Sequence, residues 1–303
     1  MSVFALPVIG GAGLGNGLFP WARAELFARG SNVPVLAPQW TRIRIGPYLR
    51  REPEKRRYGG FFRSPEHVRG PSRAAISAFA RRMREGESES VYARAKESHW
   101  PSVVRFEGIG DLFAPLANEH AFVRRKLWEM TRAPLRDASM RYDGPFIAMH
   151  VRRGDLTRQG FTQRALLEVK QFTPLSWFVA MAHAARRSDS ARKRPIVVFT
   201  DGSAQEVAEL LAVDGVLLHS GPCAITDLWT MTRAAALFAS GFSTFGMWAS
   251  YLGGMPTIYA PGKLQQRVQA GVPNAFEVEL AAGDALPERV CSESSTRMAA
   301  AHE

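Results

Sequence analysis

Short apolar runs recur along this chain. Most are followed by a glycine-rich or polar turn and then by apolar positions three and four residues apart. The first run, residues 3–9, predicts a buried strand. Residues 10–17 follow as a glycine loop, and Leu18, Ala22 and Leu26 predict a helix over about 18–29. Residues 33–36 predict a short second strand. Residues 40–72 are rich in Arg, Pro and Gly and read as irregular; 72–84 read as a basic amphipathic helix, 103–106 as a strand, and 116–132 as a long helix stopped by Pro134.

The second half is more regular. Strands are expected at 146–151, 195–200, 216–218, 237–239 and 257–259, the last of the series. Between them, Thr173-Pro174 opens a helix that turns Trp177, Met181 and Ala184 inward. Ser203 and Glu206 form a capping box ahead of Val207, Leu210 and Leu211. Helices are also expected over 227–235 and 243–252. Alternating strands and helices in both halves imply an α/β fold of two Rossmann-like domains with parallel sheets facing a central cleft. The expected division is 1–140, 141–291 and a frayed Ser/Ala-rich tail, 292–303, with the hinge at 134–144.

Length and composition fit that plan. The chain has 303 residues, 46% hydrophobic and 22% charged, enough for two domains of about 150 residues. No apolar stretch reaches the length of a membrane span. The N-terminus lacks a basic region and reads as a core strand rather than a signal peptide, so a cytoplasmic location is expected. Cys223 and Cys291 read as two free thiols. The net charge of +11 is concentrated: eleven basic and three acidic residues lie between Arg50 and Arg84. Such a patch suits an anionic glycan or peripheral contact with an anionic membrane at its inner face, or is simply a solvated face. Nucleic acid is not expected, because no recognition motif accompanies the charge.

The most informative stretch is His150-Val151-Arg152-Arg153-Gly154-Asp155, at the carboxyl end of a buried strand. Arginine is a fixed-charge fork that fits phosphate bidentately, and ligands of open α/β sheets gather at these strand ends. The alternative is a surface arginine pair bridged to Asp155. The opening loop is not a dinucleotide fingerprint. Asn16 stands where a third glycine is needed, and the second strand ends in Ala37-Pro38-Gln39 without an acid. It leaves a backbone at Gly15 and the Asn16 amide able to approach a phosphate or sugar hydroxyl at a helix start. No Walker loop, paired-histidine, C-x-x-C or Asp-x-Asp spacing occurs, so no metal or other cofactor is expected and any diphosphate must be neutralised by arginines. The turn Ser240-Gly241-Phe242-Ser243-Thr244-Phe245-Gly246 puts hydroxyls and backbone amides at a helix start and makes a second anion cradle. Asp227 either caps a helix or accepts from a guanine edge, and Asp201 ends a strand at the same sheet edge.

These blocks, in this order, resemble the α-1,2-fucosyltransferase family and its superfamily of α-1,6- and protein O-fucosyltransferases. Gly13-Leu14-Gly15-Asn16-Gly17-Leu18-Phe19 is similar to the family's opening Gly-Leu-Gly-Asn-Gln-Met/Leu-Phe loop. His150 to Asp155 matches its H-x-R-R-G-D block, and Phe199-Thr200-Asp201 resembles its Phe-Ser-Asp strand end. Asp227-Leu228, Ser243-Thr244-Phe245 and Trp248-Ala249 resemble its closing block. Gly17, Leu156, Gly202 and Met247 depart from the pattern. The resemblance implies a GT-B enzyme that binds a GDP-sugar in its C-terminal half and a glycan or glycolipid acceptor in its N-terminal half. It implies metal-independent, inverting transfer of L-fucose from GDP-β-L-fucose. Arg152 and Arg153 would be catalytic, and Gly15, Asn16, His150, Asp155, Asp201, Asp227, Ser243, Thr244 and Phe245 donor-binding. Asp155 is a candidate base or an orienter of an arginine. Another GDP-sugar as donor, and a non-catalytic module for anionic polymers, are the competing expectations.

Overall fold

The computed structural model describes residues 3–10, 13–40, 58–87, 92–93, 95, 97–153, 172–188 and 194–291. The chain divides into two compact units, Met1–Arg132 and Ala133–Glu303. Their border falls ahead of the expected 140.

The first unit is built on three parallel strands, β1 (Val3–Val8), β2 (Arg81–Arg84) and β3 (Ser102–Glu107), in the order β1-β3-β2. Val35 and Leu36 extend the sheet only as isolated bridges, to Ala5 and Val68. Helix α1 (Leu14–Ser31) covers one face, where Ala24 and Ala28 meet Val3, Ala5, Val104 and Phe106. It begins four residues earlier than expected, so the glycines fall in its first turn. Gly17 N–H donates to Gly13 O, and a methyl group at Gly17 would lie 3.2 Å from Ile9 and 3.5 Å from Trp40. Glycine here trades helix propensity for a close seat on the end of β1.

The expected 72–84 helix is two elements. Helix α2 (Gly70–Phe79) stops, and β2 follows with its outward arginines around one buried residue, Met83. Charge at a sheet edge discourages pairing with another chain. Helix α3 (His120–Met130) completes the unit, preceded by a 3₁₀ turn at Ala114–Leu116.

The second unit opens with α4 (Ala133–Ala138) and carries six strands, all parallel. They are β4 (Ile147–Val151), β5 (Ile196–Thr200), β6 (Val216–Leu218), β7 (Ala236–Ala239), β8 (Thr257–Tyr259) and β9 (Glu277–Glu279). Their order is β6-β5-β4-β7-β8-β9. Numbered within the unit this is 3-2-1-4-5-6, the doubly wound order of dinucleotide-binding sheets. The connecting helices are α5 (Leu175–Ser188), α6 (Ala208–Leu211), α7 (Ala224–Met231) and α8 (Thr244–Gly253); α9 (Glu288–Cys291) closes the described chain. β4 and β7 are buried along their whole length, as near-continuous apolar strands of a two-sided sheet should be.

β9 is a strand beyond the expected last one. Only Val278 is apolar in Glu277-Val278-Glu279, so no hydrophobic run announces it. Its carboxylates serve the neighbouring loop: Glu277 accepts from Gln269 N–H, and Glu279 from Gly262 and Leu264 N–H. The capping box is formed, with Glu206 accepting from Ser203 N–H and Oγ at 2.7 and 2.9 Å.

Candidate active site

The second sheet is wound outward in both directions from β4 and β7. The crevice at their carboxyl ends is the topological switch point, the place where open α/β sheets take ligands. The residues there are locked together by backbone. Ser240 N–H donates to His150 O at 2.9 Å, and Arg152 N–H returns a bond to Ser240 Oγ at 2.9 Å. Arg153 N–H donates to Asp201 Oδ1 at 2.7 Å, tying the end of β4 to the end of β5. Gly241 N–H donates to the buried Thr173 Oγ at 3.1 Å, so Thr173 braces the turn after β7.

The two arginines part company here. Arg152 keeps 30% of its side chain exposed, with Nη1 3.9 Å from Asp201 Oδ2. Arg153 is only 3% exposed. Its Nη1 donates to Thr173 O and Arg152 O, and its guanidinium lies 5.0 Å over the Phe172 ring. Burial works against its charge, and Glu206 and Asp201 work for it. Gly202 is what admits it, since a methyl group there would stand 2.8 Å from Arg153 Cβ.

The turn from β7 into α8 passes through Phe242 at φ 53°, a left-handed conformation rare outside glycine. Ser243 is the N-cap of α8, yet its hydroxyl makes no capping bond. Ser243 Oγ and His150 Nδ1 are both buried and, among the described residues, have no hydrogen-bond partner. The residues are 2% and 7% exposed. A methyl group at Gly246 would come within 2.8 Å of that histidine nitrogen, and the Phe245 ring lies 5.8 Å from the imidazole. Burial, chiefly, and the Arg152 charge push the His150 pKa down to about 4 against the pull of Asp201, so the ring is neutral near pH 7. Buried polar atoms without partners are uncommon in folded proteins. Two of them lie beside the α8 N-terminus and the partly exposed Arg152, an arrangement whose donors suit an anion chemically.

Asp227 sits in the first turn of α7, which starts three residues earlier than expected, and its carboxylate caps nothing. It belongs to a short relay. Asp227 Oδ1 is 3.0 Å from His219 Nε2, and His219 Nδ1 is 3.0 Å from the Tyr142 hydroxyl. A carboxylate only accepts, so the neutral tautomer that suits this chain carries its proton on Nε2 and takes the tyrosine proton at Nδ1. Gly221 makes room, because a methyl group there would overlap Asp227 Oδ1. His219 also packs on Phe199, the β5 neighbour of His150, with ring centres 4.3 Å apart.

Sequence reasoning missed Tyr142 and His219, read Thr173 only as a helix cap, and took Ser240 only as part of the cradle turn 240–246. It also missed Lys263, which follows β8; a methyl group at Gly241 would lie 2.6 Å from its Cβ. A basic residue just past a strand end is the one signal that could have flagged Lys263. Thr244 and Phe245 lie in the first turn of α8. Gly15 and Asn16 lie in the first turn of α1, in the other unit. Asp155 is outside the described residues. Among those described, no three His, Cys, Asp or Glu side chains are grouped to hold a metal ion.

The second unit is thus a doubly wound α/β sheet whose switch point gathers His150, Arg152, Ser240 and Ser243. No protein-family model matches the chain, and no curated protein matches it in sequence. Its fold is nevertheless shared with solved structures of the α-1,6-fucosyltransferase NodZ. The form co-crystallised with GDP has a TM-score of 0.52 at 16% identity, over 86% of this chain and 95% of that one. The form soaked with GDP-fucose gives 0.51 at 16%, over 86% and 96%. NodZ from Bradyrhizobium gives 0.50 at 16%, over 84% and 94%.

Proposed function

We propose that this protein is a GDP-fucose-dependent glycosyltransferase of the GT-B type. It moves L-fucose from GDP-β-L-fucose to a glycan hydroxyl with inversion, forming an α-1,2 linkage, and needs no metal. The second unit binds the donor and the first binds the acceptor. The observation that carries this is the switch-point crevice. There Arg152 reaches solvent beside two buried polar atoms, His150 Nδ1 and Ser243 Oγ, that no described protein group satisfies. The shared NodZ fold supports the same activity class.

In the reaction the acceptor hydroxyl oxygen attacks the anomeric carbon and gives its proton to a base, for which Asp155 is the candidate, while the bond from that carbon to the β-phosphate oxygen breaks. GDP leaves with the electron pair, and negative charge builds on the diphosphate. Arg152, held by its backbone bond to Ser240, lowers the energy of that charge as it forms, as a preorganised cation does. The α8 N-terminus, with Ser243 and Thr244, adds amides and hydroxyls to the same anion. Arg153 orients Arg152 by bonding its carbonyl. His150, neutral, contributes a hydrogen bond without adding a cation. Asp227, aimed by His219 and Tyr142, accepts from a guanine N1–H and its 2-amino group.

Calorimetric titration tests the donor. GDP should bind and UDP should not, because a uracil leaves the Asp227 carboxylate unpaired. Asp227→Ala should lose GDP affinity. Equal binding of the two nucleotides would refute the assignment. GDP should also be released faster from GDP-fucose than from GDP-mannose when each is incubated with the enzyme and no acceptor.

A further inference from the structure

The first unit carries a cavity that the donor chemistry does not use. It is about 460 Å³ in volume and lies between α2 and the face of the sheet opposite α1. That is within the size range of small-molecule sites, about 300–1,000 Å³. Leu6 and Val103 belong to its wall, and Arg73, Arg82 and Arg105 put three guanidinium groups around it. No carboxylate is among its described lining residues. Arg105 is ion-paired to Glu107, and Arg73 Nε donates to Ala37 O at 2.6 Å, so two of the forks are held in place by the protein. Inside, Ser77 Oγ and Arg105 Nε are buried and, among the described residues, have no hydrogen-bond partner. A buried donor left unsatisfied is costly, and an anion entering the cavity would accept from both.

The basic surface does not stop there. A second hollow of about 480 Å³ runs over the ends of β2 and β3, sharing Arg82 and Arg105 with the first and adding Arg84, Glu85 and Glu107. Glu85 is paired with Arg23, and Glu107 with Arg105. A single small ion would fill one hollow. Two hollows joined by shared arginines form a track longer than one ion, basic at the first hollow and mixed in charge at the second.

We infer that this track binds an acidic oligosaccharide, with a carboxylate or sulfate of one sugar seated among Arg73, Arg82 and Arg105. The choice of a saccharide rests on the glycosyltransferase function proposed above, and it makes the acceptor an acidic glycan rather than a neutral one. Planar forks are suited to both anions, since each guanidinium offers paired donors to two oxygens.

The test is calorimetry on the full chain with three probes: trigalacturonate, the neutral maltotriose and inorganic sulfate. Trigalacturonate should bind at least about ten-fold more tightly than maltotriose, and more tightly than sulfate. Arg82→Gln should weaken it by about ten-fold and flatten its dependence on salt. Arg82 is solvent-exposed, so this variant should fold; a melting curve checks both it and Arg105→Gln, which should show the same loss. GDP affinity should be unchanged in both. Equal binding of the two trisaccharides, or unaltered trigalacturonate binding in Arg82→Gln, overturns the site. Sulfate binding as tightly as the trisaccharide overturns the saccharide and leaves a simple anion site. Failure of the wild-type protein to bind GDP would instead strike the donor assignment, with the trigalacturonate comparison still deciding the track.

Discussion

Arg152 and Arg153 are neighbours with the same chemistry, and the sequence reading puts Arg152 first and Arg153 second without a geometric reason for the order. The strand supplies one. Side chains alternate as the chain leaves β4, so one guanidinium reaches solvent and the other turns into the protein. Their conservative variants should therefore fail differently. Arg152→Lys keeps the charge but loses the fork, so it should melt like wild type while kcat falls about 10²-fold, the usual scale for one transition-state contact. Arg153→Lys cannot span Thr173 O and Arg152 O in the same geometry, so it should lose about 2 kcal/mol of stability, seen as an earlier melt. Near-normal kcat in Arg152→Lys would remove Arg152 from the mechanism.

His150 adds a pH dependence at this same scale. Its folded pKa of about 4 lies below the 6.5 of an unperturbed histidine. The unfolded chain then binds the extra proton first as the pH falls, so the contribution is complete above about pH 6.5 and is lost by about pH 4. Urea titrations should show wild type weakening across that window more than His150→Phe. Parallel curves would mean the ring does not titrate as its burial requires.

Among elements, those with a period were legible and those whose role is set by tertiary contact were not. The strands from β4 to β8 stood out as apolar runs, and Ser203 and Glu206 announced their cap. β2 was hidden because Met83 is its one buried residue among arginines, and β9 because it is mostly glutamate. The start of α1 was misjudged because glycine normally argues against a helix, whereas here its missing side chain is what fits. The relay from Tyr142 to Asp227 spans 85 residues of sequence and leaves no local signature at all. Glycine substitutions separate the two meanings of this residue. Gly30→Ala in α1 meets nothing within 4 Å and should stabilise by about 0.5–1 kcal/mol. Gly246→Ala in α8 gains the same propensity but drives a methyl group at His150 Nδ1, and should destabilise by about 1–3 kcal/mol. Chemical denaturation of the two variants reads both signs.

At the scale of the molecule, the division into two α/β units with parallel sheets follows from the alternation of strand and helix, and the switch point follows from the strand order. Strand order itself is set by which edges pair, and no residue pattern states it in advance. The whole-molecule chemistry has one sharp consequence: with arginines in place of an Asp-x-Asp motif, turnover of GDP-fucose should persist in EDTA. Loss of activity in chelator, restored by Mn²⁺ or Mg²⁺, would mean that the charge on the diphosphate is met in some other way. The position of β4 also bears on how the protein is made. This fully buried strand, apolar but for His150, pairs with β5 on one side and with β7, about 85 residues later in the chain, on the other. During synthesis the ribosome delivers β4 long before its second partner, at about 5–20 residues per second. For those seconds it is an unpaired hydrophobic edge, the kind of segment that nascent chains lose to aggregation and that chaperones shield.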